Sequence, residues 1–177
     1  MGEINIQRVT IGDIYSLQIL GTKTFYESFS ADNTEDNISK YLEEVFSISK
    51  LTDEINNVNS EFYFATFDNK RIGYLKLNFG QSQTELGEDN ALEIERIYVL
   101  KACHGKKVGQ LLLDKAIHIA RQKGLDYVWL GVWEENPRAI HFYKKNGFVE
   151  FDKHIFKLGN DKQTDIMMKL KLKDVRV

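Results

Sequence analysis

Three stretches of this 177-residue chain hold side chains that could do chemistry. The first, Ile97 to Gln110 (IYVLKACHGKKVGQ), runs from a strand-like segment through a loop of glycine and lysine into a helical pattern. A helix N-terminus presents unpaired N–H groups and a partial positive charge; with Lys101, Lys106 and Lys107 adding full charges, the segment suits a phosphate. It is neither a P-loop nor a dinucleotide fingerprint, since only Gly105 and Gly109 are present, and the alternative is a turn that is merely basic. The second stretch is ALEIERIYV, where the two-residue strand period places Glu93 and Glu95 on one face with Ile97 and Val99. Such carboxylates either face water or, partly buried on a rigid strand, supply a general base with a raised pKa. The third is Tyr143 beside Phe142: its hydroxyl, with an ordinary pKa of about 10, suits protonating a leaving thiolate, although a tyrosine here could equally be core. Cys103 and His104 invite a nucleophile-and-base reading, but sequence neighbours rarely aim at each other and no third group orients them. His104, His118, His141 and His154 share no metal-ligand spacing, so no metal is expected.

The elements that must position these residues can be read from periodicity. Residues 3–9 alternate as a short strand, and Asp13 stands at the N-cap of a helix running toward Phe29. Thr34 caps a second helix, 34–46, whose Ile38, Tyr41, Leu42 and Val45 fall at helical spacing. Residues 62–68 and 71–78 read as a hairpin turning at Asn69-Lys70, and 91–99 as the next strand. In 108–123, Val108, Leu111, Leu112, Ala116, Ile119 and Ala120 form one apolar stripe that stops at Gly124. A strand at 126–133 follows, then a helix that Asn136-Pro137 opens and Gly147 closes, then strands at 148–153 and 165–172. This order of strands and helices predicts a mixed α/β sheet with helices packed on it.

Composition limits the setting. A chain of this length needs no disulfide or structural metal to hold a core, and its one cysteine agrees with a reducing, cytoplasmic compartment. Nothing before Gln7 resembles a signal peptide. The most apolar stretch, Tyr127 to Trp133, is far short of the roughly 18–20 residues of a membrane span. The net charge of −2 argues against a general nucleic-acid binder. Charge is nevertheless uneven: residues 1–100 carry 8 Lys and Arg against 17 Asp and Glu, residues 101–177 carry 16 against 9. That asymmetry suits two ligands of opposite sign, or simply solvated faces of one sign in each half.

Taken together, LEIERIYV, HGKKVG, WLGVW and NPRAIHFYKKNGF resemble the acetyl-coenzyme A signature of the GNAT N-acetyltransferase superfamily. With TFYESF, the helix around Tyr41-Leu42, and QTDIM, the likeness extends over nearly the whole chain to bacterial PaiA-type spermidine/spermine acetyltransferases. The resemblance implies one α/β domain over 1–177: a mixed, mostly antiparallel twisted sheet of about seven strands, splayed between 91–99 and 126–133, with about four flanking helices. It implies acetyl-CoA as cosubstrate. Backbone groups of Ile97, Tyr98 and Val99 would hold the pantetheine, His104, Gly105, Lys106, Lys107, Val108, Gly109 and Gln110 the pyrophosphate, and Asn136 and Ala139 the distal arm. Glu95 would deprotonate the amine, directly or through water, and Tyr143 would protonate the coenzyme A thiolate.

Two positions depart from the family's loop. His104 stands where Gln or Arg is usual, and Lys107 replaces the first glycine. A left-handed backbone at Lys107 would cost roughly 1–2 kcal/mol, whereas a place in the helix's first turn is tolerated; the second is expected. Since polyamines are protonated at neutral pH, the implied reaction is deprotonation followed by direct attack in a ternary complex, without an acyl-Cys103. Residues 27–61 hold nine acids against two lysines, a field suited to a polycation, with Glu27, Glu35, Asp36, Glu43 and Glu93 as candidate substrate contacts. A protein N-terminus, lysine or amino sugar is an alternative acceptor, and a non-catalytic CoA-binding regulatory module is the rival class, against which Glu95 and Tyr143 argue. Members of this superfamily often dimerise, which admits a homodimer.

Overall fold

A computed structural model describes residues 2–85 and 88–172. In chain order these form β1 (Asn5–Arg8), α1 (Ile14–Phe29), α2 (Glu35–Val45), α3 (Ile48–Asn56), β2 (Ser60–Phe67), β3 (Lys70–Phe79), β4 (Ala91–Val99), α4 (Val108–Gln122), β5 (Tyr127–Trp133), α5 (Pro137–Lys145), β6 (Val149–Leu158) and β7 (Asp161–Lys171). The strands make one seven-stranded sheet in the order β1-β2-β3-β4-β5-β7-β6, antiparallel throughout except for the β4–β5 pair. Helices α1 to α3 cover one face, packing Leu17, Phe25, Ile38, Phe46 and Leu51 on Phe62, Phe64 and Tyr74. On the other face α4 packs Val108, Leu112, Leu113 and Ala116 on Leu75, Leu77, Leu92 and Ile94. Each fully buried leucine in that layer contributes roughly 2 kcal/mol through loss of apolar surface from water. No helix among the described residues is long and apolar enough to cross a membrane.

The mixed α/β sheet and its seven strands are as the sequence predicts, but four details differ. The described residues form five α-helices, because Ser47 caps α3 by accepting from the Lys50 N–H at 3.2 Å and Leu51 anchors it in the core. The hairpin turns at Asp68-Asn69, both in the left-handed region (φ 48° and 61°), which matches the twist of a two-residue hairpin better than Asn69-Lys70 would. The last two strands are longer than 148–153 and 165–172 and form a continuous hairpin from Val149 to Lys171. On α4, Leu111 lies at the rim, 38% exposed, and Leu113 takes the core position instead.

Candidate active site

The site originates in a local fault of the sheet. β4 pairs with β5 from Ala91↔Tyr127 to Ile94↔Leu130 and no further, so beyond Ile94 and Leu130 the two parallel strands diverge. At the same level β4 is bulged against β3: Lys76 pairs with Arg96 and Leu77 with Ile94, leaving Glu95 as the extra residue. A bulge bends its strand and re-aims side chains. It also reverses the expected alternation: Ile97 and Val99 pack toward α4, while Glu93 and Tyr98 face the α1–α3 layer and Glu95 reaches the same Asn78 as Glu93. The four residues therefore do not share a face. Between the diverging strands lies a cavity of about 1070 Å³ that continues to the start of α4 and along α5.

One end of the cavity is built for an anion. Of the expected cofactor contacts, Ile97, Tyr98, Val99, His104, Gly105, Lys107, Val108, Gly109, Gln110, Asn136, Ala139 and Tyr143 line it. Lys106 does not; it turns to a smaller cleft beside Cys103 and Leu111. The first intrahelical bond of α4 runs from Leu111 N–H to Lys107 C=O (3.1 Å), so the N–H groups of Val108, Gly109 and Gln110 precede it and are free for phosphate. A Cβ at Gly105 or Gly109 would meet nothing within 4 Å; no protein group fills the space over this turn, which fits a pyrophosphate lying against it. The Asn136 side chain accepts from Ala139 N–H (3.2 Å) and starts α5, while Gln110 donates to Asn146 (2.8 Å) and joins α4 to α5.

The two loop departures have structural accounts. His104 Nε2 lies 2.9 Å from Val99 C=O and its Nδ1 3.0 Å from Arg138 Nη1. Arg138 can only donate, so Nδ1 accepts and the proton sits on Nε2; the imidazole fastens the end of β4 to α5 and is not a base for Cys103. Lys107 is left-handed (φ 64°, ψ 17°), contrary to the expected first-turn placement, because the chain must reverse there to enter α4. Lys107→Gly should therefore raise stability by about 1 kcal/mol, seen as a rise of a few degrees in Tm by calorimetry. An unchanged or lowered Tm would show that the turn is unstrained.

Tyr143 stands on α5 with 7% of its surface exposed, held edge-on between Phe142 and Phe148. Tyr143 lines the cavity, and burial pushes its pKa well above the ordinary value, so its hydroxyl keeps its proton.

The other end of the cavity is aromatic and acidic. Glu93, Trp129, Gly131, Trp133, Asp165 and Met167 share one sheet face by register, and Phe29, Tyr41 and Phe156 close over it. Glu93, 3% exposed, accepts from Asn78 Nδ2 (2.9 Å), Thr84 N–H (2.8 Å) and the Thr84 hydroxyl; burial pushes its pKa up against those bonds. Glu95 accepts from Asn78 (2.9 Å), contacts Lys76 Nζ, and lies 3.8 Å from Arg96; Lys76 also pairs with Glu54 of α3 at 2.6 Å. Burial alone would raise the Glu95 pKa, but Arg96 and Lys76 outweigh it and hold it down at about 2. The expectation of a raised pKa there is thus reversed, since the bulge delivers the carboxylate to two buried cations.

The expected substrate acids are mostly elsewhere. Glu93 lines the cavity, whereas Glu27 accepts from Lys101 N–H (3.2 Å), and Glu35, Asp36 and Glu43 are on the solvent face of α2, whose opposite face buries Asn37 and Ile38. In their stead Asp32, Glu85 and Asp165 line it. Asp165 was legible only as one letter of QTDIM; without the full β6–β7 hairpin nothing aims it at the site.

A splayed β4–β5 pair, an open helix N-terminus beside it and an acidic, aromatic wall at the other end of the cavity define an acyl-CoA-dependent acetyltransferase of the GNAT type. Residues 23–148 match the Acetyltransferase (GNAT) family, and the chain belongs to it. It is 37% identical over 169 residues to an "Uncharacterized N-acetyltransferase in pepI 3'region" of Lactobacillus delbrueckii subsp. lactis, covering 96% of this chain and 98% of that one. It is 28% identical over 149 residues to a spermidine N(1)-acetyltransferase of Thermoplasma acidophilum (82% and 88% covered). The crystal structure of a PaiA N-acetyltransferase from T. acidophilum in complex with coenzyme A superposes with a TM-score of 0.80 at 26% identity, over 96% of this chain and 99% of that one. The cosubstrate is acetyl-CoA, in keeping with the cradle at Gly105 to Gln110.

Proposed function

We propose that this protein acetylates a primary amine of a polyamine of the spermidine/spermine class, by direct attack within a ternary complex. The observation that carries this reading is the acceptor wall. Glu93 and Asp165 line it, and neither forms an ion pair with a lysine or arginine among the described residues, while rings of Phe29, Tyr41, Trp133 and Phe156 surround it. Glu93 is buried and Asp165 half-buried; carboxylates drawn out of water without a lysine or arginine favour a cationic ligand, and aromatic faces suit methylene stems and ammonium groups. The spermidine N(1)-acetyltransferase relative supports the same substrate class.

Acetyl-CoA supplies the activated acetyl group. Gly105 to Gln110 bind its phosphates with backbone N–H groups, and the divergent edge of β4 at Ile97 to Val99 offers backbone groups to its arm. Glu95, kept ionised by Arg96 and Lys76, draws in and orients the ammonium at the point of divergence through Oε1, its less engaged oxygen. Tyr143 donates its proton to the leaving sulfur. One domain over 1–177 and action in the cytoplasm belong to the proposal; the single sheet that joins Asn5 to Lys171 supports the first.

The test is to incubate the protein with acetyl-CoA and, separately, spermidine, spermine, a basic peptide and an aminoglycoside, following product by mass spectrometry. Acetylated polyamine is the expected product. Turnover of only the peptide or the aminoglycoside would transfer the chemistry to that acceptor and remove the polyamine reading.

A further inference from the structure

If Glu95 orients the amine but binds a proton too weakly to remove one from it, another group must take that proton. Three carboxylates stand on the acceptor face near the divergence, and their surroundings differ. Both oxygens of Glu93 are engaged by Asn78 and Thr84. Glu95 is engaged by Asn78, Lys76 and Arg96. The carboxylate of Asp165 has no hydrogen-bond donor among the described residues. Its position is also specific. Gly131 is the first residue of β5 beyond the last β4–β5 pair, as Glu95 is on β4, and a Cβ at Gly131 would come 3.4 Å from Asp165 Oδ2. Asp165 therefore lies over the bare backbone of β5 where the strands part, with Glu95 at the corresponding level of β4.

We propose that Asp165 is the proton acceptor for the attacking amine, an assignment that rests on reading this cavity face as the amine site. An N–H bond of the bound ammonium breaks, an O–H bond forms on Asp165, and the electron pair left on nitrogen becomes available to the acetyl carbonyl. The acquired proton leaves toward solvent past His154, which faces Asp165 across the β6–β7 ladder and is itself half-exposed. The groups around Asp165 are few: His154 on β6, with Glu85 2.7 Å from its Nδ1; uncharged Gly131 and Trp133 on β5; and the phenol of Tyr41 on α2. Burial raises the Asp165 pKa to about 6 although His154 opposes the rise. An acceptor with that affinity is far better matched to a proton leaving an amine near neutral pH than one at about 2.

Two measurements test this. In the parent, kcat/KM for whichever amine the acceptor screen identifies should rise with pH through a limb near 6, as Asp165 loses its proton. Asp165→Asn should remove that limb and lower the rate about 100-fold at pH 7, with acetyl-CoA affinity and Tm unchanged. His154→Gln should keep the limb and move it to higher pH, since a charge that lowers the Asp165 pKa is gone. Independently of any acceptor, carbon NMR of the Asp165 side-chain carboxyl should show it titrating well above the ordinary aspartate range. A carboxyl titrating in that ordinary range overturns the proposal, even if no amine tested is a substrate. A limb that survives in Asp165→Asn but disappears in Glu95→Gln or His154→Gln also overturns it and assigns the proton to that group. Turnover of a non-polyamine acceptor with an Asp165-dependent limb would fail the substrate reading and leave this one standing.

Discussion

Lys76→Met should destabilise the protein by about 3–5 kcal/mol, lowering Tm on the order of 10 °C. The Lys76 side chain is 6% exposed, its Nζ placed between Glu54 of α3 and Glu95 of the β4 bulge and over the ring of Phe62. Methionine keeps the volume and the apolar stem but leaves two inward carboxylates facing Arg96 alone, which lies 3.5 Å from Glu54 and 3.8 Å from Glu95. An uncompensated charge, rather than a lost contact, sets the cost. The pH dependence has a definite sign. Glu95 has a folded pKa of about 2, below its unfolded value of about 4.3, so it stabilises the fold above that unfolded value and this contribution is lost as pH falls through about 2. Without Lys76 that folded pKa rises, and the deficit should be greatest near neutrality and shrink below about pH 4, where Glu95 protonates in the unfolded chain and the parent loses part of the contribution that the variant lacks. Urea unfolding of parent and variant at pH 7 and pH 3.5 reads both effects, and Glu54→Gln in the variant should restore part of the loss. A deficit under about 1 kcal/mol at pH 7, or one independent of pH, would mean that the four charges are solvated and not coupled.

This network also explains which parts of the site were legible in the sequence. The Thr34 cap and the Asn136-Pro137 start of α5 obey local rules of capping and form as expected, and the α4 stripe does so except that Leu113 takes the core place expected of Leu111. The anion cradle was legible for the same reason: a helix N-terminus, its glycines and its preceding loop are contiguous in the chain. Glu95 shows where local rules stop. Its orientation depends on one extra residue in β4 relative to β3, a register property that no single strand encodes. Asp165 depends on a hairpin that extends beyond the strands expected at 148–153 and 165–172: the segment DKQT that opens β7 is too polar to announce a strand, because β6 is an edge and only part of β7 faces a core. Helix α3 offers only Ile48, Leu51 and Ile55 as apolar residues, so its pattern is short, and Glu54 has meaning only once Lys76 is opposite. Lys107 misled differently: propensity disfavours lysine in a left-handed turn, and the geometry of entry into α4 overrides that preference.

Tyr143→Phe should lower kcat by about 10²- to 10⁴-fold and leave acetyl-CoA affinity and stability close to the parent's. The ring is fixed between Phe142 and Phe148 whether or not it carries oxygen, and no hydrogen bond to the hydroxyl exists among the described residues, so its removal breaks no packing. What is lost is a proton at the leaving sulfur. A thiol of ordinary pKa, about 8.5, is a modest leaving group without one, and the buried tyrosine, whose pKa is pushed up by desolvation, holds its proton throughout the working range. The parent should accordingly show no loss of rate below pH 10 from ionisation of this residue. The size of the defect should depend on the leaving group: an acetyl thioester of a more acidic thiol needs less help, so the gap between parent and variant should narrow with it. A variant within about threefold of the parent, or a gap that is the same for both thioesters, would assign Tyr143 to packing alone and leave the thiolate to be protonated by solvent.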